Sequence, residues 1–411
     1  MRSLGFIVFV ILFLFVLDAY LWWSLKKTLY MGWYRWLIPL SSLILLTSFY
    51  FVFKRAGEGG HNAIYSLNFI VGLTFGIVIA KILMVTVFFV EDVVRVALYV
   101  GEQFSSRGHT ELVGRRAFVR NLSLAVASVP LAGTLWGITR GKYHYMTNRM
   151  DLYFEDLPEA FDGFKVIQFT DFHAGTFDHP SEVARGLELL QKEEGDVIVF
   201  TGDAVNNRSE ELEPFVYMWK RLHAKYGKFS ILGNHDYGHY ISWDSETDRI
   251  ENLQKLFDYQ KEAGFDLLRN QHRVIEKEGS KLALIGVENW GNPPFPQYGD
   301  LDKAMDGVPA DCFKILLSHD PDHWEKVRQH PEKIGLTLSG HTHGAQFGVD
   351  IPGWKWSPIK YRYKRWLGLY DEDERYLYVN RGFGFLGFPG RVGMRPEISV
   401  FTLRKGARKS I

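Results

Sequence analysis

The apolar residues divide the chain into two parts. Residues 1–140 contain long apolar runs, whereas the remainder alternates short apolar runs with helical patterns. A helix of about 20 apolar residues crosses the hydrocarbon core of a bilayer. The first part is therefore predicted to be a membrane domain of about four helices, at residues 4–25, 33–53, 64–90 and 120–138.

Two basic features of this membrane domain have more than one interpretation. Lys81 falls inside the third predicted helix, where it could line an ion or substrate path, snorkel to the surface, or belong to a helix that ends earlier. Arg115 and Arg116 precede Phe118 and a modest apolar run. They resemble a twin-arginine export signal, but also fit a basic cytoplasmic loop before a fourth helix.

The positions of Lys and Arg also predict the topology. An arrangement with the N-terminus outside leaves more of these residues in the cytoplasmic loops than on the other side, as the positive-inside rule requires. An even number of helices then places everything after Arg140 outside the cytoplasm. The chain is expected to be an integral membrane protein with its second domain on the extracytoplasmic side.

The second domain, residues 143–411, alternates strand and helix patterns. Strands are predicted at 165–170, 196–200, 229–232, 281–285, 313–317, 336–338, 376–379 and 398–403, and helices at 181–193, 210–226 and 249–263. Buried strands that alternate with helices are typical of an α/β layered domain. In open α/β sheets, ligands bind at the carboxyl ends of the strands.

Residues that commonly bind metals follow several of these strands. They are Asp171, His173, Asp203, Asn234, His319, His341 and His343. Carboxylate and imidazole ligands without thiolate suit Mn, Fe, Zn or Mg. Seven ligands are too many for one ion, but they suit two ions that share a carboxylate. Such a pair can hold a hydroxide at neutral pH and neutralise phosphate oxygens.

His235 and Asp236 are predicted to have catalytic roles. His235 directly follows Asn234, so it is unsuited to bind the same ion and could instead give a proton to a leaving oxygen. Asp236 could orient the His235 imidazole, as carboxylates do in other sites. The chemistry predicted from these residues is metal-dependent hydrolysis of a phosphate ester.

Composition excludes some alternatives. The formal net charge is only +1 and no basic block stands out, so nucleic-acid binding is not expected. The single cysteine, Cys312, cannot form an intramolecular disulfide or a thiolate cluster, and it lies in an apolar run that predicts burial.

These motifs together resemble a known family. Asp171-x-His173, Gly202-Asp203, Gly233-Asn-His-Asp236, His319 and Gly340-His-Thr-His343 look like the signature of calcineurin-like metallophosphoesterases. The resemblance implies a two-sheet β-sandwich flanked by helices and a binuclear metal centre. It implies that Asp171, His173 and His343 hold one metal and Asn234, His319 and His341 the other. Asp203 would bridge the two metals, and His235 would be the catalytic histidine.

Motifs in the C-terminal part of the chain indicate one branch of this family. Residues 339–346, 378–382 and 395–398 are similar to a bacterial membrane-anchored branch, which includes a twin-arginine-exported phosphodiesterase and enzymes resembling UDP-2,3-diacylglucosamine hydrolases. Ala345 departs from that pattern, which usually has a second glycine. The resemblance implies a bacterial inner or cell membrane, and it makes Arg381 and Gln346 candidate substrate contacts.

Three functions follow as hypotheses. The first is a phosphodiesterase or pyrophosphatase that acts on a lipid-linked or glycolipid phosphate. The second is a tethered phosphatase or nucleotidase for soluble substrates, and the third is a non-catalytic, metal-dependent sensor of a phosphorylated ligand. Residues 360–366 alternate basic and aromatic side chains, which could meet a membrane interface or an anionic head group, or form a solvated loop.

Overall fold

The computed structural model describes residues 2–26, 36–57, 62–103, 113–293, 295 and 297–407. Contacts within the chain define two compact units. Met1–Thr139 with Phe388–Gly390 forms the first, called the membrane unit here, and Arg140–Gly387 with Arg391–Ile411 forms the second, called the sandwich unit.

The membrane unit contains four helices in its described residues. They are α1 (Arg2–Lys26), α2 (Leu37–Gly57), α3 (Asn62–Gln103) and α4 (Val113–Thr139). Val8–Leu25, Gly72–Gly101 and Ala117–Thr139 are long and apolar enough to cross a membrane, whereas α2 has a shorter apolar stretch, Leu37–Ser48. Helix α4 begins before the predicted residue 120, so Arg115 and Arg116 belong to the helix rather than to a preceding loop. Residues 33–35, the predicted start of the second helix, lie outside the described residues, as do Lys27 and Arg107.

Lys81 is buried between helices of the membrane unit. Its ammonium group donates hydrogen bonds to Asp18 Oδ1 in α1 at 2.7 Å, and to Ile38 O at 2.7 Å and Ser42 Oγ at 2.8 Å in α2. A lysine has three N–H donors, and all three have an acceptor here. The alternative that Lys81 snorkels to the surface is wrong, because its side chain is buried, and the alternative of an earlier helix end is wrong, because α3 continues to Gln103.

The sandwich unit contains fourteen strands and five α-helices among its described residues. The strands are β1 (Met146–Phe154), β2 (Lys165–Phe169), β3 (Val197–Phe200), β4 (Lys228–Ser230), β5 (Phe265–Leu267), β6 (Gln271–Lys277), β7 (Ser280–Gly286), β8 (Phe313–Leu317), β9 (Leu336–Ser339), β10 (Val349–Ile351), β11 (Trp354–Trp356), β12 (Gly368–Glu372), β13 (Arg375–Val379) and β14 (Glu397–Lys405). The helices are α5 (Pro180–Gln191), α6 (Glu213–Lys220), α7 (Glu246–Glu262), α8 (Leu301–Met305) and α9 (Trp324–Val327).

The strands form two six-stranded sheets and a separate hairpin. The sheet orders are β1-β14-β2-β3-β4-β5 and β12-β13-β9-β8-β7-β6, and β10 pairs with β11. Apolar side chains from both sheets, such as Val199 and Ile315, form a shared core between them. Helices α5 and α6 pack on the outer face of the first sheet, and α8 and α9 on that of the second. The predicted two-sheet sandwich flanked by helices is confirmed.

The elements missed from the sequence are mostly edge strands. Strands β1 and β6 end their sheets, and β1 buries only two of its nine residues fully. An edge strand has fewer apolar neighbours, so it lacks the apolar run that predicts a buried strand. Helix α6 is also shorter than the predicted 210–226, whereas Cys312 is buried as predicted.

Candidate metal centre

Parallel strands bring the predicted ligands to one edge of the sandwich. Strands β2, β3 and β4 are parallel in the first sheet, and β7, β8 and β9 are parallel in the second. The loops that follow β2, β3, β4, β8 and β9 carry the seven predicted ligands. Hydrogen bonds join these loops across the two sheets, as from His341 N to Asp171 Oδ1 at 2.9 Å.

The ligand side chains form two groups. Asp171, His173 and His343 form one group, and Asp203, His319 and His341 form the other, with the ligand atoms of each group within 4.8 Å of one another. Asn234 joins the second group, because its Oδ1 lies 2.8 Å from His341 Nδ1.

Asp203 lies between the two groups. Its Oδ2 is 3.6 Å from His173 Nε2 in the first group and 3.1 Å from His319 Nε2 in the second. This is the position that a carboxylate shared by two cations requires.

The imidazoles of the centre direct nitrogen atoms at one another and at the two carboxylates. His173 Nε2 and His343 Nε2 lie 3.0 Å apart, so at least one of them presents a lone pair to the other. His319 Nε2 is buried and points at the Asp203 carboxylate, with Oδ2 at 3.1 Å. Imidazole lone pairs that converge on carboxylates are what a divalent cation binds. The residues therefore fit divalent metal ions.

The backbone at the ligands is strained. Five of the seven have left-handed φ angles: Asp171 (52°), His173 (48°), Asp203 (59°), His341 (72°) and His343 (52°). Such angles are uncommon for residues other than glycine, and they persist only where the surrounding structure enforces them. The glycines that precede Asn234 and His341 leave room for ligand carboxylates. A Cβ on Gly233 would overlap Asp203 Oδ1, and one on Gly340 would overlap Asp171 Oδ2. The ligand carboxylates thus pack directly against glycine backbone.

His319 and Asp203 carry opposite charges in the protein without metal. Burial lowers the pKa of His319, but the Asp203 carboxylate outweighs burial and raises it to about 10. Burial raises the pKa of Asp203, but His319 and His235 hold it well below its usual range. Burial and the nearby His319 lower the pKa of His341 to about 3, so that imidazole is neutral.

The His235 imidazole is fixed in one tautomer. Its Nδ1 lies 2.8 Å from the carbonyl oxygen of Asn206, which can only accept, so Nδ1 carries a proton. The backbone N–H of His235 donates to Asp203 Oδ1 at 2.8 Å, and its ring lies 4.6 Å from that of Tyr240. No described residue hydrogen-bonds to Nε2, which leaves that nitrogen for a substrate.

The predicted contact between Asp236 and His235 is wrong. The buried Asp236 carboxylate accepts backbone N–H groups of Asp203 at 2.9 Å, Ala204 at 2.7 Å and Gly233 at 2.8 Å. Asn206, rather than Asp236, orients the imidazole. Asp236 therefore joins the two loops that carry Asp203 and His235, and it acts as a positioning residue.

The predicted substrate contacts Arg381 and Gln346 are also directed elsewhere. Arg381 is buried, and its guanidinium pairs with Glu397 at 2.7 Å and with Asp350 at 2.8 Å. Gln346 is buried and hydrogen-bonds both the N–H and the carbonyl oxygen of Leu386, at 2.5 and 2.9 Å. These contacts stabilise the loops around the centre. Both side chains therefore have a structural role that does not involve a substrate.

The structure adds residues that the sequence did not indicate. Each contacts the second nitrogen of a predicted ligand: Asn206 Oδ1 lies 3.1 Å from His173 Nδ1, Tyr363 Oη lies 2.7 Å from His341 Nε2, and Arg391 Nη2 lies 3.3 Å from His343 Nδ1. Such contacts fix the ligand tautomer and ring orientation. Asn206 follows Asp203 by three positions, whereas no local pattern connects Tyr363 or Arg391 to the centre.

A two-sheet sandwich with two adjoining carboxylate–imidazole groups at its strand ends defines a metal-dependent phosphoesterase. Comparison with family models agrees. Residues 1–142 match the family described as "Probable Calcineurin-like phosphoesterase, transmembrane domain", and residues 164–345 match "Calcineurin-like phosphoesterase".

Individual relatives cover most of the chain. The "Uncharacterized metallophosphoesterase YkuE" of Bacillus subtilis is 31% identical over 300 residues, which cover 71% of this chain and 98% of the relative. The "Phosphodiesterase YaeI" of Escherichia coli is 26% identical over 71% of this chain and 100% of the relative. The "Transmembrane protein with metallophosphoesterase domain" of Danio rerio is 25% identical over 73% of this chain and 66% of the relative.

The chain belongs to the calcineurin-like phosphoesterase family. The predicted family, fold class and enzyme class are confirmed. The protein is a membrane-associated phosphoester hydrolase whose sandwich unit carries two groups of metal-binding residues.

Proposed function

We propose that the protein hydrolyses a phosphodiester or pyrophosphate bond with two divalent metal ions, in a lipid-linked or glycolipid substrate. One observation carries the two-metal proposal: Asp203 Oδ2 lies within 3.6 Å of an imidazole nitrogen from each ligand group. A single-ion site would not need a carboxylate in that position.

The ligand groups would divide between the two ions. Asp171, His173 and His343 would hold one, Asn234, His319 and His341 the other, and Asp203 both. Mn, Fe, Zn and Mg all accept such a mixture of oxygen and nitrogen ligands. When bound, the ions would supply positive charge against two phosphate oxygens and lower the pKa of a water molecule toward about 7.

His235 is the residue that we assign to proton transfer. Its Nδ1–H is held by Asn206 O, so a second proton would be carried on Nε2 and donated to the leaving oxygen. Tyr240, whose ring packs against His235 and whose hydroxyl accepts from Asn234 at 2.8 Å, keeps the imidazole in place.

The membrane unit and the relatives support the substrate class. The family model that covers residues 1–142 describes a transmembrane domain, and one relative is named a phosphodiesterase. A hydrolase held at the membrane meets lipid-linked phosphates at high local concentration. The distribution of Lys and Arg favours an extracytoplasmic sandwich unit, and reporter fusions at Lys142 that are active only in the cytoplasm would contradict that topology.

The enzymatic proposal is tested with the full-length protein in detergent after removal of metal. Readdition of Mn should restore hydrolysis of bis(p-nitrophenyl) phosphate, and His235→Ala and Asp203→Ala should each abolish most of it. His223→Ala is the matched control, because His223 is an exposed imidazole outside the centre. Metal binding without turnover in the unmodified protein would show a sensor instead of an enzyme.

The substrate class needs a separate comparison. A lipid-linked diphosphate and a soluble nucleotide with the same phosphate linkage would be hydrolysed in parallel, and we expect a higher kcat/KM for the lipid. Preference for the nucleotide would support a tethered nucleotidase and contradict the lipid-linked proposal, while the two-metal chemistry would stand.

A further inference from the structure

A hairpin in the sandwich unit forms a sheet of its own. Strands β10 and β11 pair antiparallel, Val349 with Trp356 and Ile351 with Trp354, and the other described strands belong to the two large sheets. The turn Pro358–Tyr361 follows directly. We call residues 349–364 the aromatic–basic finger.

The finger exposes large apolar side chains at its end. Ile351, Trp354 and Tyr361 are 51%, 56% and 77% exposed. Single exposed apolar residues are common on proteins, but Ile351 and Trp354 are cross-strand partners, so they expose apolar surface side by side. The base of the finger is fixed, since Ser357 Oγ donates to Gly344 O at 2.8 Å and Asp350 pairs with Arg381. The exposed tip is therefore held out by a rigid base.

The finger is also basic. Its exposed charged side chains are Lys355, Lys360, Arg362 and Lys364, and residues 351–370 contain no Asp or Glu. Arg362 and Lys364 lie 3.9 and 4.0 Å from carboxylates on the body of the unit. No carboxylate of a described residue lies within 4.0 Å of Lys355 or Lys360. The tip thus combines uncompensated positive charge with exposed tryptophan and tyrosine.

We propose that the aromatic–basic finger docks on an anionic lipid surface. Trp and Tyr rings are favoured at the boundary between head groups and hydrocarbon, and Lys and Arg are attracted to anionic lipid. The chain also carries apolar helices long enough to cross a membrane, and the sandwich unit follows the last of them, α4, in the sequence. An anionic membrane matches both the charge and the aromatic content of the tip, so it is the occupant to which the observations point.

Docking there would place lipid beside the metal centre. The finger includes Tyr363, whose hydroxyl lies 2.7 Å from His341 Nε2, and Ser357 in the finger bonds to Gly344, which follows His343. A head-group phosphate drawn to the finger would therefore be near the ligand groups. This consequence rests on the proposed function, whereas the docking itself does not.

The test uses the full-length protein in lipid nanodiscs. Pro352→Cys, at the exposed turn, carries a polarity-sensitive fluorophore, and Tyr217→Cys on α6, a position that is 71% exposed, is the matched control. The native Cys312 is buried, and the unmodified protein measures its background labelling. Nanodiscs contain either phosphatidylcholine alone or a mixture with phosphatidylglycerol, with or without doxyl-labelled lipid as a quencher. No substrate is present.

We expect the probe at 352 to shift to the blue and to be quenched by doxyl lipid, more strongly with phosphatidylglycerol, while the probe at 217 keeps the emission it has in water. Trp354→Ala with Lys355→Gln should reverse most of the shift at 352. Water-like emission at 352 would overturn the proposal. A blue shift without lipid quenching would show a protein contact and would also overturn it, and equal insertion in phosphatidylcholine alone would overturn the requirement for anionic lipid. Diester hydrolysis, measured in parallel samples to which substrate is added, reports separately on the metal centre.

Discussion

The phenolic oxygen of Tyr363 lies 2.7 Å from Nε2 of His341, 22 residues away in the chain. Nδ1 of the same imidazole faces Asn234 Oδ1 in the second ligand group. Tyr363 therefore contacts Nε2, the nitrogen of His341 that faces away from the other ligands. This contact fixes the orientation of the imidazole and leaves Nδ1 toward the metal site.

We expect Tyr363→Phe to weaken binding of one metal ion by about 10- to 100-fold, because His341 loses its fixed tautomer and orientation. The measurement is metal content and calorimetric titration of the metal-free protein. Tyr361→Phe is the control, since that side chain is 77% exposed. Equal metal affinity in the two variants would mean that the contact between Tyr363 and His341 has no effect on the centre.

Asp236→Asn should destabilise the sandwich unit. The carboxylate accepts backbone N–H groups from two ligand loops, and an amide would present its NH₂ group to some of them. Burial raises the pKa of Asp236 to about 7, so these bonds are charge-assisted above that pH, and their loss at pH 8 should lower the free energy of unfolding by about 3 kcal/mol. Urea unfolding of the metal-free protein measures this. A variant with unchanged stability but reduced kcat would instead support the originally predicted contact with His235.

Stability should depend on the protonation of His323. Burial lowers its pKa to about 3, while its ring stacks on Trp290 at 4.4 Å. The unfolded chain binds a proton at this residue below about pH 6.5, whereas the folded protein does not until about pH 3, so stability is lost as the pH falls through that interval.

Between pH 7.5 and pH 5, His323 should cost about 2 kcal/mol of stability. His323→Phe keeps an aromatic ring against Trp290 and removes the titration, so its stability should fall less over this range. Urea unfolding at both pH values isolates the effect as the difference between the two proteins. Equal losses would show that His323 titrates normally in the folded state.

Metal binding should release a proton. Without metal, Asp203 raises the pKa of His319 to about 10, so the imidazole is charged at neutral pH and must become neutral to bind an ion. Affinity should therefore rise about tenfold per pH unit between pH 6 and 8. Calorimetry in buffers of different ionisation enthalpy counts the protons. A heat of metal binding that is the same in all buffers would show that His319 is not protonated before it binds the ion.

The metal ligands could be predicted because they lie directly after apolar strands in the sequence. Asp171, His173 and Asp203 each follow an apolar strand, and parallel strands necessarily bring such positions together. The hydrogen-bond partners were not accessible in this way. Asp236 follows His235 in the chain, yet the orienting oxygen comes from Asn206, 29 residues earlier, because backbone direction rather than sequence proximity decides what a side chain faces.

The same limit applies to the edges of the fold. Strand β1 pairs in parallel with β14, which lies at the other end of the unit, and its polar sequence gives no apolar signal. Arg381 follows a buried strand, as the predicted metal ligands do, and was predicted to contact substrate. Its charge is instead compensated by Glu397 and Asp350, which only the folded chain brings near.

The contact between Lys81 and Asp18 has a consequence for the insertion of the membrane unit into the bilayer. The two residues are 63 positions apart, so ribosomes complete α1 well before Lys81 exists. A lone carboxylate within a helix costs about 2.5–3.5 kcal/mol to insert into a bilayer. The cost of inserting the unpaired Asp18 therefore favours retention of α1 at the translocation machinery until α3 emerges. The first three helices would then enter the lipid together rather than one after another.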